Sequence, residues 1–204
     1  MRLGIFGGTF DPPHLGHLHL AETAARQLRL DGVLWVLTAD PPHKQGQTIT
    51  AVQDRLDMVL AAIAGEPAYK LSRVDIDRPG PHWAADTVAV LAQQYPNAQL
   101  IYLMGGDSLR DLPEWVRPQE FLARCSLGVL RRPGDAIDLD MLDRRLPGLA
   151  AKIEFVQSPP LAIASHEIRR RAREGLRLED LVPERVAHII WTRHLYSTEA
   201  VQQG

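Results

Sequence analysis

Short apolar runs and helical apolar patterns alternate from the start of the chain. Residues 3–6 are predicted to form a buried strand that ends at the Gly7-Gly8 pair, and residues 33–37 form a second continuous apolar run. A helix is predicted between them, with an apolar face formed by Leu18, Ala21, Ala25 and Leu28. A strand, a helix and a strand at this spacing imply a right-handed βαβ unit.

The alternation continues towards the C-terminus. Thr50 is expected to open a helix in which Gln53 completes a capping box. Further strands are predicted at 70–74, 100–104, 127–130 and 153–156, and further helices at 84–94, 119–124, 138–145, 165–174 and 183–194. This order predicts an α/β fold: a Rossmann-like open parallel sheet with helices on both faces and a small C-terminal helical extension. We expect one domain spanning 1–204, with its C-terminal helical part beginning at about residue 165.

Composition and charge limit the classes of partner. The formal net charge of -2 provides no broad positive field, so neither nucleic acid nor an anionic membrane surface is expected as a partner. Nowhere do about 18 consecutive apolar residues occur, and the N-terminal apolar stretch is too short for a signal peptide. The single cysteine, Cys125, lies in an apolar stretch and is interpreted as a small buried hydrophobic residue. These features favour a cytoplasmic protein and leave open whether it forms a homo-oligomer.

The turn after the first strand has the composition of a phosphate-binding site. Gly7 and Gly8 let backbone N–H groups approach an anion, and the start of the next helix adds a partial positive charge. His14 and His17 are three residues apart, so both imidazoles can reach one anion. Gly16 between them costs about 1 kcal/mol relative to alanine, which a flat surface for a base or sugar would explain. Each part alone is ambiguous, because glycine pairs are usually plain turns and such histidines are often solvated, but their conjunction is specific.

Five segments carry a resemblance to a known family. Residues 4–18, GIFGGTFDPPHLGHL, resemble the opening signature of the nucleotidyltransferase superfamily with the HxGH motif. The other segments are PPHK at 41–44, RPGPHWAADTV at 78–88, MGGDSL at 104–109 followed by Trp115, and IASHEIRRR at 163–171. Together they are similar to bacterial nicotinate mononucleotide adenylyltransferases, and the resemblance spans nearly the whole chain.

The resemblance implies an enzyme that transfers AMP from ATP to nicotinate mononucleotide, in the biosynthesis of NAD. Such a transfer needs alignment of two anions and neutralisation of charge, without a protein nucleophile. The implied catalytic residues are His14, His17 and Arg169. The implied contacts to ATP and its phosphates are Gly7, Gly8, Thr9, Phe10, Gly16, Lys44, Gly105, Asp107, Ser165 and Ile168. The implied contacts to the mononucleotide are Trp83, Thr87 and Trp115.

Physical reasons support several of these roles. Ser165 is expected as the N-cap of the helix that carries Arg169, and Asp107 is expected to hold a ribose hydroxyl. Trp83 and Trp115 have flat faces on which a pyridine ring can stack, although a tryptophan is a core residue at least as often. Mg²⁺ is expected with ATP, held mainly by phosphates and water, and no protein metal site is predicted.

Two segments depart from the family pattern. Residues 164–166 are Ala-Ser-His where the family usually has Ser-Ser-Thr, and residues 82–84 are His-Trp-Ala where it usually has Ser-Tyr-Thr. The preference for the acid or the amide mononucleotide therefore stays open. A pantetheine-phosphate adenylyltransferase shares the opening motif and is one alternative. The other is a nucleotide-binding module without catalysis, against which the retained His14, His17, Ser165 and Arg169 argue.

Overall fold

The computed structural model describes residues 1–40, 48–131, 136–159, 161 and 163–197, which form six strands and eight α-helices. The strands are β1 Arg2–Gly8, β2 Gly32–Leu37, β3 Tyr69–Ser72, β4 Gln99–Gly105, β5 Ser126–Arg131 and β6 Ile153–Gln157. The helices are α1 Leu15–Gln27, α2 Val52–Ile63, α3 Ala84–Gln94, α4 Gly106–Asp111, α5 Pro118–Arg124, α6 Leu139–Arg145, α7 Ser165–Arg173 and α8 Glu184–Thr192, with short 3₁₀ helices at Leu112–Glu114 and Ala150–Lys152. None of these described helices has the length and apolarity needed to cross a membrane.

The sheet is parallel throughout, with the strand order β3-β2-β1-β4-β5-β6. The chain moves outward from β1 to β2 and β3, and then returns to β4 on the other side of β1. Open α/β sheets bind ligands in the crevice at the carboxyl ends of the strands where the order reverses. Since β1 ends at Gly8 and β4 ends at Gly105, these two strand ends border the crevice.

Apolar clusters cover the sheet on both faces. Strand β2 is buried at every position, as a central parallel strand should be. One cluster packs strand residues against α3 and α5, and another packs the alternate strand residues against α1 and α2. A third cluster joins α2 to α7 and α8 and includes the wholly buried Met58, Ile168 and Ile190. The C-terminal helices therefore pack on α2, beside the carboxyl edge of β1.

The predicted α/β fold is confirmed, with three local differences. Gly7 and Gly8 lie within the ladder of β1, so the chain leaves the sheet only at Thr9. Helix α2 begins at Val52 without a side-chain cap, so the capping box predicted at Thr50 is wrong. Helix α4 has six residues, too few for a helical periodicity to be recognised, and was not predicted.

Candidate active site

A cavity of about 580 Å³ lies at the carboxyl edge of the sheet, where the strand order reverses. Its walls are mainly apolar and aromatic, as is typical of sites for small molecules. The sequence-predicted contacts on these walls are Gly7, Gly8, Thr9, Gly105, Trp83, Thr87 and Trp115. Residues predicted separately to bind phosphate and to bind the mononucleotide therefore share one cavity.

His14 and His17 form a reciprocal cap at the N-terminus of α1. The backbone N–H of His17 donates to Nδ1 of His14 at 3.3 Å, and the N–H of His14 donates to Nδ1 of His17 at 3.2 Å. The two rings are stacked, with centroids 3.6 Å apart. Because each Nδ1 accepts a hydrogen bond, each ring carries its proton on Nε2, which is a donor. The pair thus combines two donors with a helix N-terminus, where an anion is favoured.

Burial fixes the charge of His14. The residue is 7% exposed, and desolvation lowers the pKa of its imidazole from 6.5 to about 4. The ring is therefore neutral near pH 7, and a neutral imidazole with its proton on Nε2 offers an anion a hydrogen bond but no full charge. A Cβ at Gly16 would lie 3.0 Å from Nδ1 of His14, so a side chain there would displace the ring. This close approach is a packing reason for Gly16, separate from the expected flat nucleotide surface.

Phe10 supports the histidine pair from the core. Its ring is 3% exposed and meets the ring of His17 edge to face, with centroids 5.1 Å apart. The ring also contacts Phe6 and Trp35. Its backbone φ of 46° lies in the left-handed region, which is uncommon for a residue other than glycine. The predicted contact with ATP cannot come from this buried ring, which instead positions His17.

The first turn of α7 lies against the loop that carries His14. Nη1 of Arg169 donates to the carbonyl oxygen of Asp11 at 2.7 Å, and the hydroxyl of Ser165 donates to that of Pro12 at 3.1 Å. Arg169 therefore binds the first residue of the stretch 11–14, and His14 is the last residue of that stretch. His14, His17 and Arg169 occupy one region, although they do not belong to the described walls of the cavity.

At the start of α7 the N-cap predicted at Ser165 is wrong, while the nucleotide contact of Ile168 stays a prediction. The N-cap is Ala164, whose methyl side chain cannot accept a hydrogen bond, and the Ser165 hydroxyl instead donates to the carbonyl oxygen of Pro12. Ile168 is wholly buried in the cluster formed by α2, α7 and α8. Its amide donates to the carbonyl of Ala164 at 3.2 Å, so neither its side chain nor its amide is available to a phosphate.

A buried arginine that sequence reasoning missed lies beneath this region. Arg55 of α2 is 2% exposed. Its guanidinium donates at 2.8–3.0 Å to four backbone carbonyls, those of Thr9, Thr38, Ala39 and Thr50. Burial lowers the pKa of Arg55, and the negative charge of Asp11 opposes that shift. Arg55 thus ties the loops that follow β1 and β2 to the start of α2.

Asp11 connects the same region to the C-terminal segment. Its carboxylate accepts from the hydroxyl of Tyr196 at 2.8 Å and from the backbone N–H of Thr50 at 3.2 Å. Burial, and then the charge of Asp11, raises the pKa of Tyr196, so its hydroxyl remains a donor. The pairing of Asp11 with Tyr196 could not be recognised in the sequence, because the two residues are 185 positions apart. The signal that the sequence did offer for this network was a charged residue, Arg55, beside the apolar face of α2.

Aromatic side chains border the other part of the cavity. The ring of Trp115 meets that of Tyr102 edge to face, with centroids 6.1 Å apart. Trp83 precedes α3 as its N-cap residue and lines the same cavity. Beside it, His82 is 8% exposed, and its Nδ1 has no hydrogen-bond partner within the described ranges. Sequence reasoning noted His82 only as a departure from the family pattern.

Thr87 lines the cavity but its hydroxyl is already used. It donates to the buried carboxylate of Asp75 at 2.7 Å, and Arg78 donates to the same oxygen at 2.9 Å. Thr87 therefore belongs to a hydrogen-bonded support for the cavity wall. A contact with the mononucleotide through this hydroxyl would compete with Asp75.

Two other predicted contacts lie apart from the cavity or beyond the described residues. Asp107 is exposed, is not on the described cavity walls, and pairs with Arg110. Its predicted ribose contact requires that ion pair to open. Lys44 lies outside the described residues. No group of three or more His, Cys, Asp or Glu side chains suited to a metal ion occurs in the part of the chain that the structure describes.

The fold and the site together are those of a nucleotidyltransferase. A family model described as cytidylyltransferase-like matches residues 5–171, and the chain belongs to this family. A Thermomicrobium roseum protein named "Probable nicotinate-nucleotide adenylyltransferase" is 43% identical over 197 residues, covering 97% of this chain and 92% of its own length. A Gloeobacter violaceus protein of the same name is 42% identical over 205 residues, covering 98% of each chain. At this identity and coverage, these relatives assign the chain to the nicotinate-nucleotide adenylyltransferases within the family.

Solved structures support the fold. The structure of Plasmodium falciparum nicotinic acid mononucleotide adenylyltransferase complexed with NaAD matches with a TM-score of 0.77 at 17% identity, covering 96% of this chain and 97% of that one. The same protein complexed with APC matches with a TM-score of 0.72 at 18% identity, covering 96% of each chain. The order of strands and helices is therefore that of a known nucleotide-binding enzyme.

Proposed function

We propose that the protein transfers the AMP part of ATP to nicotinate mononucleotide, giving nicotinate adenine dinucleotide and pyrophosphate in NAD biosynthesis. One juxtaposition carries the proposal: the His14–His17 cap and Arg169 meet at the loop that leaves the aromatic cavity at Thr9. The names of relatives about 40% identical over nearly the full length supply the substrates.

The chemistry requires two phosphates to be aligned. An oxygen of the mononucleotide's 5′-phosphate attacks the α-phosphorus of ATP, and the bond to the bridging oxygen breaks as pyrophosphate leaves. The Nε2–H groups of His14 and His17 donate to phosphate oxygens, and Arg169 supplies positive charge. His14 orients and stabilises oxygens through the hydrogen bond from its Nε2–H, and its buried ring carries no full positive charge near pH 7 before the phosphates bind.

Magnesium enters with the nucleotide, as MgATP. At the phosphate end of the site, formed by His14, His17 and Arg169, these three side chains offer no oxygen ligand, which Mg²⁺ prefers. The nearby carboxylate of Asp11 is already bonded to Tyr196 and Thr50. Phosphate oxygens and water would therefore hold the ion, which neutralises charge on the leaving pyrophosphate. Lys44, as a flexible cation, remains a predicted contact to the same phosphates.

The cavity accommodates the pyridine end of the mononucleotide. Trp83 and Trp115 offer faces on which a flat ring stacks, with Tyr102 beside them. Gly7, Gly8 and Thr9 form the part of the wall nearest in sequence to the histidines, so the 5′-phosphate is directed there. In this arrangement the wall with Trp83 and Trp115, the ring end of the site, selects the substrate. The phosphate end performs the transfer.

A comparison of acceptors tests the function. The pure protein is incubated with ATP, magnesium and one of three acceptors: nicotinate mononucleotide, its amide or phosphopantetheine. Release of pyrophosphate with nicotinate mononucleotide, together with formation of the dinucleotide, is the expected result. Preference for phosphopantetheine would replace the substrate, and no release with any acceptor would refute the transferase proposal.

A further inference from the structure

His82 is a buried residue of the cavity wall, and one of its ring nitrogens has no hydrogen-bond partner among the described residues. The residue is 8% exposed and lines the cavity, and Nδ1 lacks a hydrogen-bond partner among the residues the structure describes. A Cβ built on Gly80 would lie 3.5 Å from Nε2 of His82, so Nε2 is on the side of the ring that faces Gly80. Nδ1 has almost no accessible surface, and because an unpaired buried polar atom is costly, a turn of the ring that brings Nδ1 to a ligand or an ordered water in the cavity would complete its bond.

The carboxylates on the same wall are already paired. Asp75 accepts hydrogen bonds from Arg78 at 2.9 Å and from Thr87 at 2.7 Å. Glu114 forms an ion pair with Arg145. Both carboxylates are therefore satisfied without His82, and neither is a hydrogen-bond partner of its Nδ1.

We propose that His82 determines the preference for the acid mononucleotide: Nδ1–H donates a hydrogen bond to the carboxylate on the pyridine ring. This inference rests on the proposed function, because the substrate brings the ring carboxylate. Trp83 follows His82 directly and lines the cavity with Trp115, so a ring stacked on these indoles brings its substituent near the imidazole.

The chemistry of the two substituents explains the preference. A carboxylate only accepts hydrogen bonds, and a bond to an ionised acceptor is roughly twice as strong as one between neutral groups. A carboxamide offers a neutral carbonyl and adds an N–H₂ group that Nδ1–H cannot satisfy. The same imidazole donor therefore stabilises the bound acid more than the bound amide.

A matched pair of variants tests the role. His82→Asn places an amide nitrogen close to the position of Nδ1 and keeps a donor, whereas His82→Leu keeps a similar volume and removes it. KM and kcat are measured for nicotinate mononucleotide and for its amide. In His82→Leu we expect KM for the acid to rise by roughly tenfold to a hundredfold, with a much smaller rise for the amide. His82→Asn should retain most of the preference, and kcat for the acid should change little in either variant.

A direct measurement covers the case in which His82→Leu does not fold. In wild-type protein labelled with ¹⁵N-histidine, nicotinate mononucleotide should shift the His82 Nδ1 resonance, which is assigned by its loss in His82→Asn. An unchanged preference in a folded His82→Leu protein, or no shift on saturation with the acid, would overturn the role of His82. An ordered water as the only partner of Nδ1 would give this result. Absence of pyrophosphate release by the wild-type protein with both mononucleotides would instead refute the proposed function.

Discussion

The region around His14 and the region around His82 belong to one site but are held by different means. At the phosphate end, the loop at residues 9–12 is bonded to Arg55, Ser165, Arg169 and Tyr196, four side chains from three distant parts of the chain. At the ring end, Trp83 and Trp115 are only partly buried, and Nδ1 of His82 has no hydrogen-bond partner in the part of the chain that the structure describes. A fixed phosphate end suits the alignment of two anions, while a less constrained ring end lets sequence changes alter the choice of substrate.

Removal of Arg55 should give the largest effect on stability and should disrupt the phosphate end. Arg55→Met removes the buried guanidinium that serves four backbone carbonyls and lies near the charge of Asp11, at a cost of about 3–5 kcal/mol in the free energy of unfolding. Urea denaturation measures this loss. Arg73→Met is the control, since Arg73 forms an exposed pair with Asp77 and its removal should cost about 0.5 kcal/mol or less. Similar losses for the two variants would contradict the buried network.

Removal of the His17 donor should lower turnover while the fold is kept. In His17→Asn, the amide oxygen can still accept from the N–H of His14, but the Nε2–H group is gone. We expect kcat to fall by roughly 100- to 1000-fold, as for other donors to a transferred group. His188→Asn, at an exposed position of α8, is the control. A steady-state rate within about threefold of wild type would remove His17 from the mechanism.

The buried His14 should make stability depend on pH. Its pKa in the folded protein is about 4, below the ordinary 6.5, so the unfolded state binds the proton more tightly. Above pH 6.5 the imidazole is neutral in both states, and the free energy of unfolding is at its full value. As the pH falls towards 4, protonation of the unfolded state lowers the free energy of unfolding by roughly 3 kcal/mol in total. His14→Asn keeps an N-cap side chain and should lose less stability over this interval. Urea denaturation from pH 7 to pH 4 compares the two proteins, and parallel curves would contradict the burial of His14.

The smallest effect is expected at the ring end. Trp115→Leu removes a stacking face without removing a donor, so KM should rise by roughly fivefold to tenfold for both the acid and the amide mononucleotide. Because the loss is similar in the bound substrate and the transition state, kcat should change much less. Steady-state kinetics with both substrates measures this. A fall in kcat as large as that of His17→Asn would erase the distinction between the two ends.

The sequence alone could predict what is local. The strand, the histidine pair and α1 are consecutive, so the Gly7–His17 segment was recognisable as one unit. The N-cap predicted at Ser165 failed because its hydroxyl bonds to a carbonyl 153 residues away. The contact of Ile168 with ATP was predicted from its position in the motif, whereas its side chain lies on the face of α7 that packs on α2.

The long-range supports could not be predicted from spacing. Arg55 and Asp11 have roles only once α2 and the loop after β1 have come together in the fold. His82 illustrates a different limit, because its residue type was noted as unusual while its unpaired Nδ1 depends on the packing around it. Buried polar partners are therefore the part of this site that a sequence does not reveal.

A double-mutant cycle asks whether the histidine pair and Arg169 act on one triphosphate. Single-turnover rates of AMP transfer are measured for wild type, His17→Asn, Arg169→Met and the double variant. Groups that act on the same anion should be non-additive, so the double variant should lose less rate than the product of the two single losses, by roughly tenfold or more. Losses that multiply within about twofold would show that His17 and Arg169 act independently, and would contradict a shared phosphate site.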